Sequence, residues 1–430
     1  MWGGTALLVA GRLWGSACTF VALYLLARRL EPGGFGRYTF YLALFALLDA
    51  LVDMGTGAVA VQRTADDESA IRGVLATARR IRLATGLLGL GLVGGGALLF
   101  GEPGAPWVLL ASLYPLSHAL ELSATVFKNR IAWGLPVAIR ALASTLSLAF
   151  VLLLLRCDAG EPALYLVGVA AGSASANFLL HAAARRHLAA VRVAAPVPWR
   201  ELLGAALPLG LAGLCQQAYF YVDNLFVRAI EGEEPLGHYN VGVRVMSYAI
   251  MVAVYASMAA LPWFAREHAA GRLGPAVARL ARPLFALAGL GAGLCFPWTR
   301  ELLGLFGPGF EQAAASLQWL LGAATVVYVG SALLTAVIAT GGTRAVLAVA
   351  ATGLGVNLVG NALLVPRLGI DGAALATFVT EAAVALGALF ALHRAGVRNL
   401  GGGAPLLWLG GPLMFALGYL VSSPLAGLLE

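Results

Sequence analysis

Apolar residues fill this chain in blocks of about 20, and short polar segments between the blocks carry most of its arginines. A helix of that length can cross a hydrocarbon core about 30 Å thick, because each helical residue adds about 1.5 Å. The pattern predicts twelve membrane-spanning helices and a shorter thirteenth. They fall at residues 5–27, 38–62, 83–100, 106–127, 132–155, 163–184, 202–227, 239–264, 283–299, 314–340, 345–365, 371–392 and 405–421.

The composition agrees with this pattern. Hydrophobic residues make up 60% of the chain and charged residues 11%, whereas a soluble domain carries about 25% charged residues. So few charges cannot cover an ordinary water-exposed surface. We therefore predict an all-α integral membrane protein whose function lies within the bilayer.

Lysine and arginine are distributed unevenly between alternate loops. One set of loops holds 18 of them and the other 7, while Arg12, Arg140 and Arg244 fall inside predicted spans. The richer side of such a protein faces the cytoplasm, which predicts a cytoplasmic N-terminus. The net charge of +7 then reflects contact with anionic membrane lipids, and no nucleic-acid partner is expected.

The chain repeats itself after about 200 residues. Glu31-Pro-Gly-Gly-Phe-Gly-Arg-Tyr38 resembles Glu234-Pro-Leu-Gly-His-Tyr239, and each segment precedes a new span. Six helices in each repeat predict two lobes related by a pseudo-twofold axis along the membrane normal. The predicted parts are an N-terminal lobe 1–184, a cytoplasmic connector 185–201, a C-terminal lobe 202–392 and a tail 393–430 with the helix 405–421.

Two local features are also predicted. Segment 63–82 contains Asp66, Asp67 and a basic run, and its pattern favours an amphipathic helix on the inner leaflet. Pro115 and Pro208 fall inside spans, where they are expected to kink the helices.

Four motifs in order resemble a known family. Gly353-Leu-Gly-Val-Asn357-Leu-Val-Gly-Asn361, with Thr377 and Glu381 beyond it, resembles helices 11 and 12 of the polysaccharide exporters. These are oligosaccharide-lipid flippases of the superfamily that also contains multidrug-and-toxin extruders. The other three motifs resemble the family's first outward loop, the end of its second helix and its seventh helix: Arg29–Tyr38, Asp53-Met-Gly55-Thr-Gly57 and Asp223-Asn-Leu-Phe226.

The resemblance covers residues 1–392 and implies a function. It implies two six-helix lobes in a V, with helices 1, 2, 7 and 8 lining a central cavity. The implied substrate is a prenyl-pyrophosphate-linked oligosaccharide, moved by alternating access from the inner to the outer leaflet of a bacterial or archaeal cytoplasmic membrane for cell-surface polysaccharide biosynthesis. Glycan polymerases or glycosyltransferases would be its partners, H⁺ or Na⁺ its coupling ion, and no cofactor or catalytic residue is expected.

Arginines inside spans are the first candidates for substrate binding. Placing an ionised side chain in the membrane costs at least about 2.5–3.5 kcal/mol, so such residues call for an explanation. Guanidinium groups of Arg12, Arg140 and Arg244 could each donate paired hydrogen bonds to a pyrophosphate. Alternatively, Arg12 extends to the inner headgroups and Arg244 pairs with Asp223.

Acidic residues inside spans are candidates for ion coupling or for charge pairing. Asp49 and Asp53 are four residues apart and share one helix face. Asp49 favours an ion or proton site, whereas the Asp-x-Gly setting of Asp53 favours pairing, with Arg12 as the partner. Asp223 and Glu381 have the same two alternatives, and for Glu381 we favour helix packing with Asn357 or Asn361.

The remaining polar residues leave similar choices. His118 and Glu121 could form a proton relay or a hydrogen-bonded pair on helix four. Gln216, Gln217 and Tyr219 could contact sugars or form hydrogen bonds between helices. The four cysteines have no metal-ligand spacing, so neither a metal site nor a disulfide is predicted.

Three classes of function remain after these observations. A glycan-lipid flippase needs cations inside the membrane, and the three buried arginines favour this class. A cation-coupled multidrug or metabolite antiporter of the same superfamily would instead need a buried acidic site and a more apolar cavity. A membrane enzyme would need catalytic groups on a long loop, which this chain lacks.

Overall fold

The computed structural model describes residues 2–65, 68–191, 195–397, 400 and 409–426, and all regular secondary structure within these ranges is helical. The chain divides into two compact units, Met1–Gln217 and Ala218–Glu430. The lobe boundaries predicted above remain a prediction. The helices are α1 Trp2–Asp53, α2 Thr56–Thr64, α3 Ile71–Gly89, α4 Gly96–Leu99, α5 Ala105–Ala111, α6 His118–Glu121, α7 Thr125–Asn129, α8 Gly134–Arg156, α9 Pro162–Ala190, α10 Trp199–Ile230, α11 Glu233–Ala269, α12 Leu273–Cys295, α13 Thr299–Gly304, α14 Ala314–Ala339, α15 Thr343–Arg394 and α16 Gly410–Ala426.

Within the described ranges, eight helical stretches are long and apolar enough to cross a membrane. The stretch Thr343–Arg394 is the 52-residue helix α15, and the stretch Ala10–Thr64 includes most of the 52-residue helix α1. Each of these helices is about 78 Å long at 1.5 Å per residue, which exceeds one crossing. The backbone leaves helical geometry at Glu31 in α1 and at Gly369 in α15. Helix α15 therefore contains two predicted spans, and α1 contains the first predicted span and the first part of the second. The prediction of a multi-pass, all-α membrane protein is confirmed.

The second predicted span, 38–62, is interrupted. Met54 and Gly55 have φ values of 42° and 74° and separate α1 from α2. Asp53 stabilises the break, because its Oδ2 accepts a 3.1 Å hydrogen bond from the Gly55 amide. The break also lets Met54 contact α10, where a side chain at Gly210 would lie 2.4 Å from the Met54 carbonyl oxygen.

The fourth predicted span, 106–127, is not one continuous helix. The short helices α5, α6 and α7 alternate there with 3₁₀ turns at Tyr114–Ser117 and Leu122–Ala124. Pro115 lies in the first turn of the first 3₁₀ stretch, where its missing amide hydrogen leaves no α-helical bond to lose. The predicted irregularity at this proline is thus present, as a change of helix type.

The segment 63–82, predicted as an amphipathic helix on the inner leaflet, does not form one helix. Arg63 belongs to α2, and α3 begins at Ile71 and continues into the third predicted span. The apolar face of this part of α3 is buried, with Ile71, Leu75 and Ala78 packed in one core cluster with Leu122. Other helices of the unit therefore cover this face. Asp66 and Asp67 lie outside the described residues.

The predicted thirteenth helix is present as α16, although residues 405–408 lie outside the described residues. It packs against α12 with the backbones in direct contact. A side chain at Gly289 would lie 2.1 Å from the Gly411 carbonyl oxygen, and one at Gly293 would lie 2.2 Å from that of Phe415. Small residues permit this approach, as is usual between membrane helices.

Candidate substrate-binding site

The first unit contains a cavity of about 610 Å³ lined mainly by both parts of α1 and by α8. Three of its lining residues are cations, namely Arg12 from α1, Lys128 from α7 and Arg140 from α8. Among its described lining residues, none is acidic. We call it the cationic cavity.

Hydroxyl groups lie on the same walls as the cations. Thr19, Tyr38, Ser144, Ser147 and Ser173 line the cavity, together with small and apolar residues. Hydroxyl groups can both donate and accept hydrogen bonds, as sugar hydroxyls do. The cavity therefore combines concentrated positive charge with neutral polar groups suited to a glycan.

The structure brings together two arginines that the sequence singled out separately. Arg12 is exposed to the cavity, and Arg140 is 54% exposed. Nη2 of Arg140 donates a 2.7 Å hydrogen bond to Oε1 of Glu121, so one side of this guanidinium is held while the rest remains accessible. Lys128 was not among the predicted site residues, because the sequence placed it in a loop.

Behind Arg140 lies a chain of ionic and hydrogen-bonded groups that we call the charge network. Its members come from α1, α3, α8 and the irregular segment between α5 and α7. They are Asp49, Asp53, Arg82, Tyr114, His118, Glu121 and Arg140.

Arg82 lies at the centre of the charge network and is only 3% exposed. It forms an ion pair with Asp53, and its Nη1 lies 3.3 Å from Oε2 of Glu121. Nε donates to Oγ1 of Thr56 at 2.9 Å, and Nη1 donates to the His118 carbonyl oxygen at 3.0 Å. All three guanidinium nitrogens are therefore used, which is how a protein accommodates a buried arginine.

The partner predicted for Asp53 is therefore wrong: Asp53 pairs with Arg82, while Arg12 lines the cationic cavity. Arg82 is not among the residues predicted from the sequence, because it lies one residue before the predicted start of a span at 83, in a segment predicted to be a loop. The helix in fact begins at Ile71, which places Arg82 inside it.

Asp49 lies at the other end of the charge network. The hydroxyl of Tyr114 donates to Oδ1 of Asp49, and Nε2 of His118 lies 3.4 Å from the same oxygen. Nδ1 of His118 lies 3.6 Å from Oε2 of Glu121, so the imidazole contacts a carboxylate on each side. An imidazole in that position can exchange a proton with either neighbour.

In the second unit, the predicted Arg244–Asp223 pair is absent from the described contacts. Asp223 is 2% exposed and accepts hydrogen bonds from the Tyr239 hydroxyl, and from the backbone amide (2.8 Å) and side chain (2.9 Å) of Asn224. Nε of Arg244 on α11 is buried and has no hydrogen-bond acceptor in the described structure. A carboxylate satisfied by neutral donors does not need a cation, and this explains why the alternative pairing with Arg244 is not seen.

Glu381 is 8% exposed on the second part of α15. The predicted contact with Asn357 or Asn361 is not among its described hydrogen bonds. Instead, Nδ2 of Asn361 donates to Oδ1 of Asn357 at 3.0 Å. Nδ2 of Asn357 and Oδ1 of Asn361 are buried and lack partners in the described structure, so this region has unused polar groups.

The predicted sugar-contacting residues of α10 separate into two groups. Gln216 is exposed and Gln217 is half-buried, so both could reach a polar ligand. Tyr219 is 7% exposed and packs in a core cluster with Val349 and Val384. This placement does not fit the sugar contact predicted for Tyr219.

Comparisons with protein families match residues 1–363 in two overlapping parts. A family model described as "Polysaccharide biosynthesis protein" matches residues 1–268, and one described as MatE matches residues 208–363. No curated protein matches this chain.

Solved structures with a similar fold are transporters. A lipid II flippase MurJ in an inward closed conformation has 14% identity and a TM-score of 0.68, with 99% of this chain and 98% of that chain covered. An inward-facing multidrug resistance MATE family transporter has 14% identity and a TM-score of 0.69, with 90% and 96% covered. A MOP superfamily transporter from Pyrococcus furiosus has 14% identity and a TM-score of 0.61, with 92% and 93% covered.

These structures establish the fold, which is that of the MOP superfamily transporters and agrees with the resemblance seen in the sequence. The "Polysaccharide biosynthesis protein" model covers more than half of the chain and includes every helix that lines the cationic cavity. The chain is thus a membrane protein of the polysaccharide biosynthesis protein family.

Proposed function

We propose that this protein is a flippase that moves a prenyl-pyrophosphate-linked oligosaccharide from the inner to the outer leaflet of a bacterial or archaeal cytoplasmic membrane. The transport cycle is alternating access, the N-terminus is cytoplasmic, and no covalent bond of the substrate is made or broken. The observation that carries this proposal is the cationic cavity, in which Arg12, Lys128 and Arg140 meet without an acidic lining residue among those described.

The charge of the cavity matches the charge of this substrate. A pyrophosphate linkage has several anionic oxygens, and three cations around one space can neutralise them with charge-assisted hydrogen bonds. Cations are costly inside a membrane, so three around one cavity favour a role in binding an anion. The alternative, a cation-coupled multidrug or metabolite antiporter, calls for a more apolar cavity with fewer cations than this one.

The neutral part of the cavity suits the sugars next to the pyrophosphate. Its hydroxyl groups can replace water around a glycan during the crossing. The prenyl chain is apolar and can remain in the hydrocarbon core, because a polar pocket would offer it no favourable contact. Gln216 and Gln217 are further candidates for sugar contact, and Arg244 is a further candidate for the pyrophosphate.

Coupling to a proton is supported by the charge network. The network contains three carboxylates and two guanidiniums, so one proton on His118 would balance its formal charge. A protonated His118 attracts Glu121 and weakens the hold of Glu121 on Arg140. Arg140 is then free to bind the substrate, which links proton uptake to substrate binding in the cationic cavity.

A second ion site in the other unit has weaker support, and it is the alternative we retain. Asp223 and Glu381 are both buried, and Oδ1 of the buried Asn361 has no partner in the described structure. Carboxylate and amide oxygens can coordinate Na⁺, as they coordinate other hard cations. A sodium gradient would replace the proton gradient if transport required these residues and not His118.

Binding of the substrate tests the proposal directly. Purified protein is titrated with a fluorescent prenyl-pyrophosphate oligosaccharide, and the wild type is compared with Arg12→Gln, Lys128→Gln and Arg140→Gln. We expect each variant to raise the Kd about tenfold, since a hydrogen bond to a charged group contributes about 1.5–3 kcal/mol. Arg80→Gln is the control, because Arg80 is exposed and does not line the cavity. Equal Kd values in all four variants and the wild type would refute the proposal.

A further inference from the structure

A second cavity of the first unit is also rich in arginine. It has a volume of about 390 Å³ and lies between the first turns of α3 and the last turns of α9. Arg72 and Arg79 line it from α3, and His181 and Arg185 line it from α9. It shares no lining residue with the cationic cavity. We call it the α3–α9 cavity.

The positive charge of the α3–α9 cavity has no counterpart within its walls. No acidic residue is among its described lining residues. Nη2 of Arg79 donates to Oγ of Ser123 at 2.7 Å and lies 3.3 Å from Nδ1 of His181, while Nε of Arg79 is buried and has no described acceptor. These partners are neutral or basic, so they orient the guanidinium without neutralising it.

Arg72 is held in a similar way. Its Nη1 donates to the carbonyl oxygen of Val191 at 3.0 Å, just beyond the end of α9. A guanidinium has five N–H donors, so this single bond leaves most of them available. Arg82, a few residues further along α3, differs sharply because carboxylates neutralise it.

A phosphate group has the charge and the acceptor oxygens that suit this lining. Three guanidiniums around one cavity can each donate paired hydrogen bonds to phosphate oxygens. The rest of the lining is apolar, comprising Leu75, Ala76, Leu188, Ala189 and Pro196. A free phosphate ion gains nothing from apolar walls, whereas a phospholipid carries glycerol and acyl carbons next to its phosphate.

We propose that the α3–α9 cavity is a binding site for a phosphate group, supplied by the headgroup of an anionic membrane phospholipid or by free phosphate. The lining favours the phospholipid. Basic pockets between membrane helices at the cytoplasmic side commonly bind such headgroups, and the sequence predicts that these helix ends face the cytoplasm. The cavity is distinct from the site proposed for the transported glycan.

Bound phosphate would join elements that are distant in the sequence. The cavity is formed by α3, α9 and the segment that leads into α10, which is fastened to α3 by a 2.6 Å hydrogen bond from Oγ1 of Thr77 to the Val197 carbonyl oxygen. Three like charges at this junction repel one another when the cavity is empty. A phosphate group removes that repulsion, so occupancy stabilises the unit.

Thermal unfolding of the purified full-length protein in neutral detergent tests this site. Short-chain phosphatidylglycerol, short-chain phosphatidylcholine and sodium phosphate are added separately at constant ionic strength, and the Kd is taken from the rise in Tm with concentration. We expect phosphatidylglycerol to raise the Tm of the wild type and phosphatidylcholine to leave it unchanged. Arg72→Gln and Arg185→Gln should each raise the Kd for phosphatidylglycerol about tenfold.

Arg186→Gln is the matched control. Arg186 follows Arg185 on α9 and is also exposed, but it does not line the cavity, so its Kd should stay within about twofold of the wild type. Stabilisation by sodium phosphate that Arg185→Gln abolishes would also support the site and would identify free phosphate as a source. The proposal is overturned if neither phosphatidylglycerol nor sodium phosphate raises the Tm, or if phosphatidylcholine raises the Tm as much as phosphatidylglycerol does. It is also overturned if Arg186→Gln loses as much affinity as Arg185→Gln.

Discussion

Glu121 accepts a 2.7 Å hydrogen bond from Arg140, and through this bond the cationic cavity is connected to the buried charge network. The other carboxylate oxygen of Glu121 faces Arg82 at 3.3 Å and His118 at 3.6 Å. One carboxylate thus contacts a structural arginine, a cavity arginine and a titratable imidazole. A change of charge on the imidazole must alter how tightly Arg140 is held.

Substrate affinity should therefore depend on His118 and on pH. A positive charge on His118 draws Glu121 away from Arg140, so the wild type should bind the substrate more tightly at pH 5 than at pH 8. We expect a change in Kd of up to about tenfold, which corresponds to about 1.4 kcal/mol. In His118→Gln the Kd should be nearly independent of pH.

His187→Gln is the control for that experiment. Nδ1 of His187 lies 2.9 Å from the Arg130 guanidinium, and His187 is not a member of the charge network. Its Kd should follow the wild-type pH dependence. Loss of the pH dependence in His187→Gln, or its persistence in His118→Gln, would exclude the charge network as the coupling site.

The ion pair of Arg82 and Asp53 should be essential for stability. Arg82→Gln removes the cation shared by Asp53 and Glu121, and because Asp53 is 45% exposed we expect a loss of about 1.5–3 kcal/mol. Asp53→Asn should also destabilise the protein, and the double variant should lose less than the sum of the two single losses. Thermal unfolding measures all three variants, and Arg80→Gln should change the free energy of unfolding by no more than about 0.5 kcal/mol. Strict additivity would show that the two residues do not interact.

The break between α1 and α2 should depend on Gly210. A methyl group at Gly210 would collide with the Met54 carbonyl oxygen, whereas one at Gly204 on the same helix would meet no atom within 4 Å. Gly210→Ala should therefore lower the Tm by several degrees. Gly204→Ala should hold or raise it, because alanine favours helix over glycine by about 1 kcal/mol. Equal Tm values would argue against this close contact.

Arg244 should reduce stability while supporting transport. Its Nε lacks an acceptor among the described residues, so Arg244→Leu should raise the Tm and lower the transport rate if the guanidinium serves the substrate. Arg228, whose Nη2 donates to Glu233 at 2.9 Å, provides the comparison. Arg228→Leu should lower the Tm. A lower Tm together with unchanged transport in Arg244→Leu would identify Arg244 as a structural residue.

The sequence predicted the helical membrane architecture well, because hydrophobic blocks are set by the thickness of the bilayer and can be recognised locally. It also singled out Arg12 and Arg140 as charges that need an explanation. It could not show that they line one cavity, since this depends on the close packing of α1 on α8, where a side chain at Gly11 would lie 2.3 Å from Val137.

Other features of the site could not be predicted from a single sequence, because they depend on contacts between distant parts of the chain. The pattern predicts a loop at Arg82 because the first turns of α3 are rich in arginine. Hydropathy does not detect the start of a helix whose first turns are charged. The break at Met54 and Gly55 depends on a contact with Gly210, about 155 positions further along the chain. Asp223 was assigned to Arg244 by charge alone, although neutral donors satisfy it.

Transport of a fluorescent prenyl-pyrophosphate oligosaccharide in proteoliposomes tests the central claim most directly. We expect the wild-type protein to move this substrate between leaflets, the Arg12→Gln/Arg140→Gln double variant to be at least about tenfold slower, and Arg80→Gln to match the wild type. Failure of the correctly folded wild type to move the substrate under either a proton or a sodium gradient would contradict the account, as would full activity of the double variant.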